Sequence, residues 1–247
     1  MKCIHKIRSL AILPLLLLVL SSCSTQTLDQ HSTVLDYSNQ NAWKQVYGDI
    51  QSPIDIKTTS LVHSKIYGPI TFYELDAESI INNGHSLEIE GSGKFKLSNT
   101  QYEFKQVHFH SPSEHTVDGK HYPLEAHFVS KSLDGQTSVV AVMFTEGAEN
   151  NTFEQILELS SHEVQNTSTP LNQHLDLKKL LPENMSYWHY IGSLTTPPLT
   201  EGVNWYILKT PITVSTSQLE KFNSFYNYNN RNIQPLSDRS VIDFEQE

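Results

Sequence analysis

Cysteine is almost absent: the 247 residues hold 2, Cys3 and Cys23. A disulfide framework and a four-cysteine structural metal site are both excluded. No apolar stretch reaches the ~20 residues that a membrane-spanning helix needs. No segment of about 20–50 residues recurs, which excludes an architecture of stacked repeats. Basic charge is scarce too, with 17 Lys and Arg against 27 Asp and Glu. Nucleic acid is therefore not an expected partner, because phosphate binding needs a basic footprint. What remains, 38% hydrophobic and 18% charged, reads as globular.

The first residues differ in kind from the rest. Lys2, Lys6 and Arg8 precede an apolar run over residues 10–20, and Ser21-Ser22-Cys23 follows. A basic start, a short apolar stretch and small residues make an export signal. Leu20-Ser21-Ser22-Cys23 also resembles the bacterial lipobox, whose cysteine is lipidated after cleavage. The expected organisation is a signal over residues 1–22, a lipid on Cys23 and a polar tether over 23–33. A folded domain over 34–247 completes it. Cys3 leaves with the signal, so the mature chain has one cysteine and no intramolecular disulfide. The expected location is the periplasm or cell envelope, held to a membrane, by preference the outer one, through that lipid.

Strand patterns dominate the remainder. Residues 86–90, 94–97 and 102–110 alternate apolar and polar, 138–144 is almost wholly apolar, and 203–208 mixes aromatic with aliphatic. Period two marks half-buried strands, and the apolar run marks a strand covered on both faces. Helix starts are few: Asn151 with Glu154, and Ser217 with Glu220, have the spacing of a capping box. The reading is mainly β, one domain with a large sheet, short peripheral helices and a long irregular loop over 191–202.

Gln106-Val-His-Phe-His110 carries the strongest local signal. Positions two apart on a strand share a face, so His108 and His110 project together while Val107 and Phe109 point away. Such a pair needs a third ligand, and Glu125-Ala-His127 offers one if the two segments pair antiparallel. Three neutral nitrogens with one position open describe a catalytic rather than a structural Zn2+ site. Gln106 and Glu125, each two residues before a histidine, are placed to orient the rings.

At this point the chain resembles a family. Gln51-Ser-Pro-Ile-Asp-Ile56, Asn82-Asn-Gly-His85, the histidine segment through Ser113-Glu-His-Thr116, Gly192-Ser-Leu-Thr-Thr-Pro-Pro198 and Gln234-Pro-Leu236 are similar to alpha-class carbonic anhydrase, in that family's order. The resemblance implies a central, mostly antiparallel twisted sheet of about ten strands. It implies reversible hydration of CO2 to bicarbonate and a proton, with hydroxide on zinc as nucleophile. His108, His110 and His127 match the zinc ligands. Thr195 and Glu114 match the pair that orients the nucleophile, and His85 the proton shuttle. Thr196 matches a residue beside the substrate, and Val129, Val140, Leu194, Val203 and Trp205 match the apolar wall that receives CO2. His115 reads as a hydrogen-bonded core residue.

Three departures accompany the likeness. Leu35-Asp-Tyr37 stands where the family has Trp-x-Tyr. Gln45 and Leu199 stand where many exported members join two cysteines. Glu88 stands where asparagine is common, close to the shuttle position. A peptide- or ester-hydrolysing zinc site would need His-Glu-x-x-His, which is absent. A binding module on the same fold would lack ligands that are present here. Oligomeric state is left open.

Overall fold

A computed structural model describes residues 35–43, 48–97, 99–160, 168–226 and 228–246. The signal, Cys23, its tether and Gln45 lie outside the described residues. In chain order the strands are β1 (Asp55–Ile56), β2 (Val62–His63), β3 (Ile70–Asn82), β4 (Leu87–Leu97), β5 (Thr100–His110), β6 (Thr116–Val117) and β7 (Lys120–His121). They continue with β8 (Leu124–Ser132), β9 (Thr137–Glu146), β10 (Thr169–Pro170), β11 (Tyr187–Ser193), β12 (Glu201–Leu208), β13 (Ile212–Val214) and β14 (Ile242–Phe244). Two α-helices, α1 (Asn151–Leu159) and α2 (Thr216–Phe225), lie among them. No described helix is long and apolar enough to cross a membrane.

One twisted sheet runs β10-β3-β4-β5-β8-β9-β12-β11-β14-β2, with β13 joining β9. Its centre, from β3 to β9, is antiparallel. Parallel pairs enter at β9–β12, β9–β13 and β14–β2, so the sheet is mixed. A small sheet, β1-β6-β7, caps the 111–123 connection.

The two faces of the large sheet bury different sets of side chains. One face packs Val107, Phe109, Ala126, Phe128, Val140 and Val142 against Phe153, Ile156 and Phe222 of the helices. The other face gathers Val139, Ala141, Met143, Tyr190, Val203 and Trp205 over Ile54 and Ile56. β8 lies between the two sets, and Leu124 through Phe128 are all buried.

Local readings need four adjustments. Residues 86–90 and 94–97 are not separate strands but one, β4, whose register shifts between Glu90 and Lys94. Gly91 and Gly93 make that continuity possible, since a Cβ on either would collide with the backbone oxygen of Asp76 or Glu74. The cap of α1 is Asn150, whose side chain accepts from the Phe153 N–H, not Asn151. The cap of α2 is Ser215, in a capping box with Gln218, not Ser217 with Glu220. The long loop shrinks to residues 194–200, because β11 and β12 take both its ends.

Candidate active site

The site begins with register. β5 and β8 pair so that His108 lies opposite His127 and His110 opposite Glu125. Alternation then turns all three imidazoles to one face. Ring centroids lie 5.0 Å apart for His108–His110, 5.1 Å for His108–His127 and 4.6 Å for His110–His127.

Each ring has one nitrogen tied to an acceptor. His108 Nδ1 meets Gln106 Oε1 at 2.8 Å, His110 Nδ1 meets the Asn229 carbonyl at 2.7 Å, and His127 Nε2 meets Glu125 Oε1 at 2.9 Å. An amide oxygen, a carbonyl and a carboxylate only accept, so these nitrogens carry protons, and the opposite ones are the atoms left to bind a metal. His110 Nε2 is buried with no partner. One atom from each ring falls within 4.8 Å of the others, close enough for all three to hold one metal ion. Burial, with the neighbouring imidazoles, pushes the His108 pKa well down, and burial lowers that of His110. Both therefore stay neutral, as metal ligands must be. Burial opposes the charge on Glu125, yet His115 and His127 hold its carboxyl well below the usual range.

Acids and aromatics frame the triad. His115 is fully buried, with Nδ1 2.7 Å from Glu125 Oε1 and Nε2 2.7 Å from the Tyr190 hydroxyl. Those bonds account for the second cluster of metal-binding side-chain types, His115, Glu125 and His127. Glu114 Oε1 accepts from the Arg231 N–H at 2.7 Å, while Oε2 is buried without a hydrogen bond. Thr195 is buried on the 194–200 loop but no hydrogen bond joins it to Glu114. Thr196 beside it is half-buried. The ring of Trp205 lies 4.9 Å from that of His127, and its Nε1 donates to the Ser193 carbonyl.

The apolar wall requires a correction. Val140 pairs with Phe128 and belongs to the helix-covered face, away from the histidines. Its neighbour Val139 pairs with Val129, and His127 pairs with Ala141, so Val139 shares the histidine face with Val129, Leu194, Val203 and Trp205. His85 is half-buried at the start of β4 and lines a cavity of about 320 Å3 with Tyr37, Tyr226 and Tyr228, a lining that includes none of the three histidines. Its Nδ1 accepts from the Leu35 N–H at 3.3 Å, and burial lowers its pKa. A larger cavity of about 830 Å3, between His63, Tyr67 and Asp243, lies elsewhere and brings no such nitrogens together.

Sequence reasoning also missed Asn229. Its carbonyl orients His110, its Oδ1 accepts from Ser111, and its Nδ2 donates to the carbonyls of His85 and Phe109. Only its nearness to Gln234-Pro-Leu236 could have drawn notice.

A mainly β scaffold presenting three converging imidazoles, each ring oriented by an acceptor, defines a candidate metalloenzyme. The eukaryotic-type carbonic anhydrase family matches residues 38–244. A carbonic anhydrase of Klebsiella pneumoniae is 41% identical over 199 residues, 78% of this chain and 79% of that protein. One from Pectobacterium carotovorum is 38% identical over 202 residues, 79% of this chain and 80% of its own. The Thermovibrio ammonificans alpha-carbonic anhydrase, solved with sulfanilamide, superposes with a TM-score of 0.75 at 42% identity, covering 79% of this chain and 87% of that one. The chain belongs to the alpha-class carbonic anhydrases, enzymes of carbon dioxide hydration.

Proposed function

We propose that the chain hydrates CO2 with zinc held by His108, His110 and His127. The observation that carries this reading is the set of three inward nitrogens left to bind a metal by outward hydrogen bonds. Held by these residues, zinc would supply Lewis acidity, which lowers the pKa of water to about 7, carbonic anhydrase being the standard case of that effect. Gln106, Asn229 and Glu125 keep the imidazoles oriented, and burial favours the neutral forms of His108 and His110. Val129, Val139, Leu194, Val203 and Trp205 offer CO2 an apolar surface with few competing hydrogen bonds. Glu114 Oε2, buried and unpartnered, is an acceptor available to the Thr195 hydroxyl. His85, at the position that resembles the family's shuttle, carries the released proton to buffer, with burial holding its pKa below the ordinary imidazole value.

One experiment tests both halves. Purified protein should contain about one zinc per chain and hydrate CO2 in a stopped-flow assay. His85→Ala should lower kcat in dilute buffer at least about tenfold and leave kcat/KM intact, with added imidazole restoring kcat. Absence of zinc and of activity refutes the reading. An unchanged kcat in dilute buffer removes His85 from the proton path.

The same proposal places the domain outside the cytoplasm, cleaved before Cys23 and anchored through lipid on that residue. A basic, apolar, small-residue leader ending in Leu20-Ser21-Ser22-Cys23 supports it. The full-length protein should enter the detergent phase of a two-phase extraction and Cys23→Ala the aqueous phase. Wild type recovered in the aqueous phase overturns the anchor.

A further inference from the structure

The 194–200 loop carries Thr195 from β11 to β12, and its internal ties are few. Leu194 N–H donates to the Thr200 carbonyl and Leu199 N–H to that of Thr196, at 2.9 and 3.0 Å. Leu199 sits at φ 61°, the left-handed region that a side chain disfavours. A conformation of that kind persists when surrounding structure holds it.

The holding groups come from a distant part of the chain. Glu201, the first residue of β12, accepts at Oε1 from the Ile50 N–H at 2.7 Å and from Gln51 Nε2 at 3.1 Å. The same Gln51 Nε2 reaches the Leu199 carbonyl at 3.2 Å. Gly48, at φ 74°, approaches so closely that a Cβ there would overlap the Glu201 carboxylate. Gln51 Oε1 then accepts from the Arg231 guanidinium at 2.9 Å, and the Arg231 N–H donates to Glu114. On the other side, Gln136 Nε2 donates to the Gly202 carbonyl.

We infer that Glu201 is a positioning residue: its carboxylate, seated on the backbone of residues 48–50 and on Gln51, fixes the loop that carries Thr195. The role given to Thr195 rests on the proposed function, whereas the clamp itself rests on geometry alone. Thr195 serves the CO2 step and His85 serves proton export, so loosening this loop should damage the first and spare the second.

The test compares wild type with Glu201→Ala, Glu201→Gln and Gly48→Ala. Amide exchange at Ile50, Leu194 and Leu199 should quicken at least about tenfold in Glu201→Ala and Gly48→Ala. Glu201→Gln should recover most of that protection, because its amide oxygen still accepts from Ile50. In CO2 hydration, Glu201→Ala should lower kcat/KM about tenfold or more while kcat in dilute buffer falls much less. A simple loss of folded protein would lower both by one factor, and that result overturns the inference. Unchanged exchange in Glu201→Ala, or a Gln variant as damaged as the Ala one, overturns it as well. If wild type proves inactive the proposed function fails, and the exchange data still decide the clamp.

Discussion

His127→Ala is expected to abolish zinc retention and CO2 hydration together. On the proposed function, zinc affinity comes from three nitrogens fixed in advance, and losing one leaves two imidazoles that would hold the ion poorly. Removing only a supporting partner of a ligand typically costs about 10–100-fold in affinity or activity, so losing the ligand itself should exceed that range. The change also strips Glu125 of one of two imidazole partners and opens space beside the Trp205 ring. Circular dichroism should therefore accompany the assay, to show that the sheet persists. Gln106→Ala is the useful comparison, because it spares all three ligands and frees only the outer nitrogen of His108. Metal analysis after dialysis should then rank wild type above Gln106→Ala, and Gln106→Ala above His127→Ala. Full zinc occupancy in His127→Ala would sink the ligand assignment.

What the sequence made legible follows from how each residue acts. His108, His110 and His127 act through side chains on strands whose alternation is visible, so their common face could be read directly. Gln106 and Glu125 could be read by the same rule, since each bonds the histidine two positions on. Val139 could not. An apolar run covered on both faces has no polarity to mark its pleat, and only pairing of His127 with Ala141 reveals which valine faces the pocket. Asn229 and Arg231 were hidden for a different reason. Each contributes a backbone group to a partner more than a hundred positions away, and a backbone group leaves no residue signature. The helix caps were misplaced because suitable Ser or Asn residues stand one or two positions apart at both starts, and only dihedrals separate them. Glu201 reads as an ordinary strand-edge acid until its partners at Ile50 and Gln51 are seen.

Glu88 is expected to make the metal-free protein less stable as pH rises, and Glu88→Gln should remove that loss. Its Cα partners are His108 on β5 and Ile81 on β3, so the carboxyl is hemmed in by strands on both sides. Among the described residues its one hydrogen bond is a long one, donated by Asn83 Nδ2 to Oε2 at 3.4 Å. Burial, reinforced by the neighbouring Glu90, pushes its pKa from the ordinary 4.5 up to about 7. Below pH 4.5 the group is protonated in folded and unfolded chains alike and contributes nothing. Between 4.5 and 7 the unfolded chain releases its proton while the folded chain retains it, so unfolding gains. Above that window the penalty is constant. At roughly 1.4 kcal/mol per unit it reaches up to about 3 kcal/mol, less what water reaching the half-buried carboxyl screens. The buried histidines His108, His110 and His189 slope the opposite way, because they stay neutral in the fold and protonate on unfolding. Wild type and Glu88→Gln share those groups, so the difference between the two curves isolates Glu88. Urea unfolding of chelated protein from pH 4 to pH 8 should show Glu88→Gln gaining on wild type by on the order of 2–3 kcal/mol across the window. Zinc at His108 would favour the carboxylate and shrink the difference, so the loaded proteins should diverge less. Two metal-free stability curves separated by the same amount at every pH would show that Glu88 does not titrate in this range.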